Sequence, residues 1–174
     1  MIRRVVWQGL VSGAVGAAVM TAGEKIEQRL TGRPDSYVPA RVLERVLGRA
    51  ESESRALNLT MHLGQGAMVG VIRSLMAAVG LRGPLASAKF AVVRLTNDQV
   101  LENATGVGAP PQTWPRAELA IDVLHKTVYA VATGIVADAL AARSGPGPGQ
   151  VHAALRPGRQ SGVGPAPREA SFAG

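Results

Sequence analysis

The chain contains no cysteine. That excludes a disulfide framework, thiolate zinc or iron–sulfur ligation and a cysteine nucleophile, and it leaves the compartment open. Aromatic residues are scarce: two Trp, two Tyr and two Phe make up 3% of 174 residues. A water-soluble core of this size usually relies on such rings, which bury the most area per side chain. Also missing are G-x-S-x-G, H-E-x-x-H, the phosphate loop ending in Gly-Lys and the dinucleotide fingerprint, so no hydrolase or nucleotide motif is present. No repeat recurs along the chain.

What is present is small and aliphatic. Apolar residues make up 47% of the chain and glycine contributes 21 positions, a mixture suited to helices that approach closely inside a membrane. The mean hydropathy is only +0.14, lowered by two polar stretches, Glu24–Arg55 and Ser144–Gly174. The net charge of +7 fits an anionic membrane face better than nucleic acid. No aromatic-interleaved basic patch or recognition helix accompanies it, so nucleic acid is not an expected partner.

Val5–Gly23 is the longest clean run, 19 residues without a charge after Arg3 and Arg4. It approaches the length of about 20 residues that a membrane-crossing helix needs. Arg3 and Arg4 also fit a secretory signal, but Ala22 has Met20 two residues before it, a poor small-x-small cleavage site, and a retained span is expected. Three further apolar segments follow: Leu57–Leu81, Leu85–Leu101 and Leu119–Ala142. Gly83-Pro84 and the stretch from Gly106 to Pro115 separate them, because helix does not run through such sequences. Trp7 and Trp114 are placed like interfacial anchors.

The Glu24–Arg55 stretch is expected to hold a short amphipathic helix, with Val42, Leu43, Val46 and Leu47 on one side. It lies either on the protein or on anionic lipid. The tail from Ser144, with seven glycines and five prolines in 31 residues, is expected to be disordered. The division is a helical membrane domain over 1–143 and a basic tail over 144–174. Four crossings put the seven Lys and Arg of Lys25–Arg55 opposite Arg3, Arg4 and Arg82. Three crossings satisfy the positive-inside rule better.

A charge near the bilayer centre costs roughly 2.5–3.5 kcal/mol on insertion scales, so such groups should face the bundle interior and pair. Helical spacing lines them up. Glu118, Asp122, His125 and Tyr129 share one face of the fourth segment, with Lys126 able to pair with Asp122. His62 and Arg73 lie three turns apart on the second segment, with Gln65 between them. Arg94, Asp98 and Glu102 follow at successive i+4 steps on the third. The functional reading is a polar interior in which histidine and carboxylates relay protons or bind an ion. The structural reading is a set of ion pairs that fix helix register. Asp122-Val-Leu-His125 has the carboxylate-x-x-His spacing of di-metal bundles, but Leu59 stands where a second copy before His62 would need its acid, so no metal or other cofactor is expected. Gly9, Gly13 and Gly16, together with Gly66 and Gly70, read as helix-packing positions, Gly9-x-x-x-Gly13 being a close-contact spacing; Gly64 reads the same way.

The order of these features resembles the YagU-like family of small inner-membrane proteins. The likeness rests on a Gly/Ala-rich first span from Gly9 to Glu24 and a second span opening with Met61-His62-Leu63-Gly64. It continues with the Gly106-Val-Gly-Ala-Pro-Pro loop and a last span bearing Glu118 and His125. It covers Val5 to Leu140 and implies topology rather than a reaction. The chain departs from that pattern in its basic inter-span loop and its charged third segment.

The sequence thus predicts an all-α integral membrane bundle of about four helices, multi-pass in the cell (inner) membrane. Its partners are the lipid bilayer and a second copy or another membrane protein. The expected role is non-enzymatic: ion or proton handling, or help in assembly. The alternative is a soluble or peripheral helical bundle acting as an interaction protein, with Val5–Gly23 a core helix or signal.

Overall fold

The computed structural model describes residues 2–50 and 54–155. Among them the chain is all-helical, with six α-helices and no strand: α1 (Ile2–Thr31), α2 (Val38–Val46), α3 (Arg55–Val79), α4 (Pro84–Thr105), α5 (Arg116–Ala142) and α6 (Pro148–Leu155). The punctuation acts locally. The Ser54 hydroxyl caps α3 by accepting from Leu57 N at 3.2 Å, and α3 ends at Gly80 with φ 103°, a left-handed cap that glycine adopts without Cβ strain. Pro84 opens α4, where its missing N–H costs nothing. A single 3-10 turn, Pro111–Thr113, interrupts the way to α5.

The first helix runs past the apolar stretch, because Glu24–Thr31 holds good helix formers and no breaker before Gly32 and Pro34. α1 packs antiparallel to both α3 and α5, and α4 packs chiefly on α5. The α1–α3 contact is made backbone to backbone. A Cβ at Gly9 would meet Val71 Cα, one at Gly13 would meet Gly66 O, and one at Gly70 would meet Gly13 Cα, all inside contact distance. Gly16 backs onto Thr133 of α5, and Gly66 faces Ala17. Gly64 differs: nothing lies within 4 Å of a Cβ there, so it opens no helix contact.

The middle of the bundle is an apolar layer of Ala17, Met20, Val69, Phe90, Ala91, Tyr129 and Ala130. A smaller alanine cluster, Ala77, Ala137 and Ala141, lies toward the α3–α4 turn. α1 and α5 are long and apolar enough, by length and composition, to cross a membrane. α3 and α4 are not apolar enough to join them on that measure.

Two expectations change. α2 is the short loop helix and packs on α3 and α4, but it is buried on two sides, with Ala40 and Glu44 on one and Val42 on the other, while Val46 and Leu47 are exposed. Of the predicted apolar stripe, Val42 is buried and Leu43 half-buried, so only its first half faces inward, because packing between α3 and α4 covers the helix from both sides. The second concerns 144–174, read as disordered throughout. Pro148–Leu155 instead form α6, which packs on α3 with Gln150 against Gly80. Residues 156–174 of that tail lie outside the described residues.

Candidate functional site

The antiparallel arrangement brings four polar helix ends together. The last turns of α1, the first turns of α3, the second half of α4 and the start of α5 surround a cavity of about 740 Å³ at one end of the bundle. The predicted residues His62, Arg94, Asp98, Glu102, Glu118, Asp122 and His125 all line it. Asp98 is buried, His62, Glu102, Asp122 and His125 are half-buried, and Glu118 is exposed at the rim. Tyr129 sits beneath the cavity. Its hydroxyl donates to Gly66 O at 2.6 Å, its ring packs with Phe90 at a centroid distance of 5.8 Å, and Arg94 lies over its face.

At the cavity wall four charges form one chain. Arg94 Nε approaches Asp98 Oδ2 at 3.1 Å; Lys126 Nζ lies 3.5 Å from the same oxygen and donates to Asp122 Oδ1. Gln65 steadies the centre by donating to Asp98 Oδ1 at 3.0 Å. Two positive and two negative groups balance, as buried charges must. The chain is nevertheless open at both ends. Arg94 Nη1, Asp122 Oδ2 and the nearby His62 Nε2 are buried without a hydrogen-bond partner, and Arg94 Nε meets Asp98 as an ion pair outside hydrogen-bond geometry. Buried groups left unpaired are uncommon and each needs a reason.

The connection from α1 to α2 closes the mouth. Lys25 Nζ donates to Asp35 Oδ1 at 2.6 Å, and Arg33 Nη2 donates to Glu27 Oε2 at 2.8 Å. Asn58 of α3 clasps the same connection, its Oδ1 accepting from Ala40 N at 3.1 Å and its Nδ2 donating to Ser36 O at 2.9 Å. The Lys25 hydrogen bond holds the Asp35 carboxyl below its ordinary value against the opposing effect of desolvation, with the charges of Lys25 and Arg55 adding to the lowering. The hydrogen bond that Arg33 donates to Glu27 raises the Arg33 guanidinium above its ordinary value.

Arg73 is not part of this assembly. It lies on the far side of the apolar layer, fully buried, and pairs with Asp138 at 2.8 Å, while Asp138 Oδ2 also accepts from Gly83 N at 2.8 Å. His62 and Arg73 share an azimuth, but eleven residues carry them about 16 Å apart along the axis, enough to put them on opposite sides of the core. Sequence reasoning missed the α1–α2 residues Lys25, Arg33 and Asp35, all of which line the cavity; the unbroken helix-forming run from Glu24 to Thr31 was the signal that α1 would deliver them there. It also left Asp138 without a role. Among the described residues no group of three His, Asp or Glu side chains is placed to hold a metal ion. Comparison of the chain with protein-family models, curated proteins and solved structures gives no match.

Proposed function

We propose that the chain is a small multi-pass protein of the cell membrane that handles protons or ions in a polar cavity at one side of the bilayer. The observation that carries this reading is an inside-out distribution of polarity. Ile135, Met68 and Val92 are 67%, 61% and 62% exposed, whereas Arg73 and Arg94 are 0% and 2% exposed. Water outside the bundle would make that pattern unfavourable twice over, by wetting apolar surface and by burying charge. Hydrocarbon outside removes the first cost and accounts for charges facing inward.

The outward apolar faces are continuous on α1, α3 and α5, while on α4 the exposed Leu85 and Val92 share their face with exposed Lys89. Val15 and Val19 lie on α1, Met68, Ile72, Leu75 and Val79 on α3, Leu85 and Val92 on α4, and Leu124, Val131 and Ile135 on α5. The 30 residues of α1 make a rod of about 45 Å, longer than a hydrocarbon core of about 30 Å. Its charged end, Glu24–Thr31, therefore reaches past the lipid, and the cavity lies at that level. The titratable groups His62, Glu102, Glu118, Asp122 and His125 face this compartment, while the apolar layer beneath them closes the way to the other side. The protein in this form holds protons or ions from one face; a path across requires the Phe90–Tyr129 layer to open. The likeness to YagU-like proteins supports the same topology and adds no reaction.

Two measurements test this. Carbonate extraction of membranes is expected to leave the protein in the pellet, and release into the supernatant would return the chain to the soluble-bundle alternative. Trp114 lines the cavity, so in a Trp7→Phe background its fluorescence is expected to follow pH with a step that disappears in the His62→Ala/His125→Ala double variant. An unchanged titration in that variant overturns proton handling by the cavity.

A further inference from the structure

We infer that the cavity takes a small zwitterion, a molecule carrying one oxyanion and one ammonium group, bound between Arg94 and Asp122. This rests on the reading of the cavity as a binding site and names the chemistry of its occupant. The argument comes from the open ends of the charge chain. At one end Arg94, nine-tenths buried and more, presents Nη1 with no partner, and at the other Asp122 presents Oδ2 with none. Between them Asp98 and Lys126 are already engaged with each other, and Gln65 donates to Asp98 as well. A guanidinium nitrogen donates and suits an oxyanion, whereas a free carboxylate oxygen accepts and suits an ammonium.

Charge balance selects against simpler ligands. The chain Arg94–Asp98–Lys126–Asp122 is neutral as it stands. A lone anion at Arg94 would add a net buried charge and leave Asp122 open. A lone cation at Asp122 would do the reverse. A zwitterion closes both ends and adds no net charge, which avoids the desolvation cost of an uncompensated ion. His62 Nε2, also unpartnered, offers the oxyanion a second contact beside Arg94. The cavity, at about 740 Å³, has the volume of a small-molecule site rather than a single-ion site. The same chemistry is offered by a free amino acid-like solute and by the headgroup of a zwitterionic lipid at the bilayer surface.

The test is calorimetric titration of the purified full chain at neutral pH with β-alanine and glycerophosphoethanolamine, a phosphodiester whose single negative charge balances its ammonium, against inorganic phosphate and ethylammonium as controls that carry one sign of charge only. At least one zwitterion is expected to bind about tenfold or more tighter than either control, and Arg94→Gln and Asp122→Asn are each expected to lose at least about tenfold. Because Arg94 also rests on Tyr129, Arg94→Lys serves as the second variant: it keeps the charge and is expected to retain part of the binding. Repeating the titration in nanodiscs separates the sources. Weaker binding of free glycerophosphoethanolamine in phosphatidylethanolamine than in phosphatidylglycerol assigns the site to the lipid headgroup, and equal binding assigns it to a free solute. The inference is overturned if neither zwitterion binds, if phosphate alone binds as tightly, or if the Gln and Asn variants bind as the parent does. None of these readings depends on the Trp114 titration, so failure of proton handling and failure of zwitterion binding are told apart.

Discussion

The guanidinium of Arg94 lies over the ring of Tyr129, its Cζ 4.9 Å from the ring centroid, so the floor of the polar cavity is also the ceiling of the apolar layer. A buried arginine gains there what water would otherwise supply: the negative face of a ring on one side and the Asp98 carboxylate on another. Tyr129→Phe keeps the ring and loses one hydrogen bond. Gly66 O is a helix carbonyl with its own backbone partner, so the expected loss is only about 1 kcal/mol. Tyr129→Ala removes the floor and is expected to lose about 3–5 kcal/mol. Denaturant titration in detergent distinguishes the two, and equal losses would show that the ring does not carry the contact.

The glycine seam makes an opposite pair of predictions. At Gly13 a Cβ meets the α3 backbone at Gly66 and Ala67, where neither side can retreat without parting the helices. Gly13→Val is therefore expected to lower stability by more than about 3 kcal/mol or to prevent folding, as overpacking against a rigid backbone does. Gly64→Ala meets nothing and is expected to raise stability by about 0.5–1 kcal/mol through helix propensity alone. Thermal unfolding of the two variants checks the assignment of the seam.

On the far side of the core, Asp138 holds both Arg73 and the Gly83 N–H, which fixes the turn between α3 and α4. Asp138→Asn leaves a fully buried guanidinium without its counter-charge, and the expected cost is about 3–5 kcal/mol. Arg73→Met/Asp138→Asn is expected to recover part of it. Ligand binding in the cavity should persist in every variant that folds, because the apolar layer intervenes. A double-mutant cycle measured by chemical unfolding decides.

The Lys25–Asp35 contact gives the mouth of the cavity a pH dependence. Asp35 is held below its ordinary value of 3.8, first by the Lys25 hydrogen bond. A carboxyl depressed in the folded state stabilises the closed connection above that ordinary value, and the contribution disappears as pH falls through the lowered one. Carboxyl-carbon NMR titration is expected to show Asp35 with a midpoint below 3.8 that moves back toward it in Lys25→Met. A midpoint indifferent to Lys25 would mean that the contact does not hold the loop.

Much of this architecture was legible along the chain because its signals are local. Gly83-Pro84, the Pro-rich stretch before Arg116 and the 3.6-residue periodicity located the helices, since each acts within a turn or two. The stripes were legible for the same reason: Asp122 and Lys126 pair across one turn of their own helix, and Arg94 and Asp98 do so on theirs. What spacing could not supply was which stripes face each other. Lys126 reaches Asp98 across α5 and α4, and Gln65 reaches it from α3. Those meetings depend on helix order and register, which the Gly13–Gly70 contact sets from residues far from the cavity.

The sequence by itself determined the helices, the faces on which their charges lie and the small-residue surfaces that let them approach. Only the tertiary structure decided that Arg73 belongs with Asp138 while its stripe-mate His62 belongs to the cavity, that the α1–α2 connection closes the mouth, and that α6 docks where disorder was expected. The physical reason is that a helix face records direction around an axis but not distance along a neighbour. Distance is settled by packing, where backbone contact at glycine and the position of the apolar layer fix which polar groups share a space.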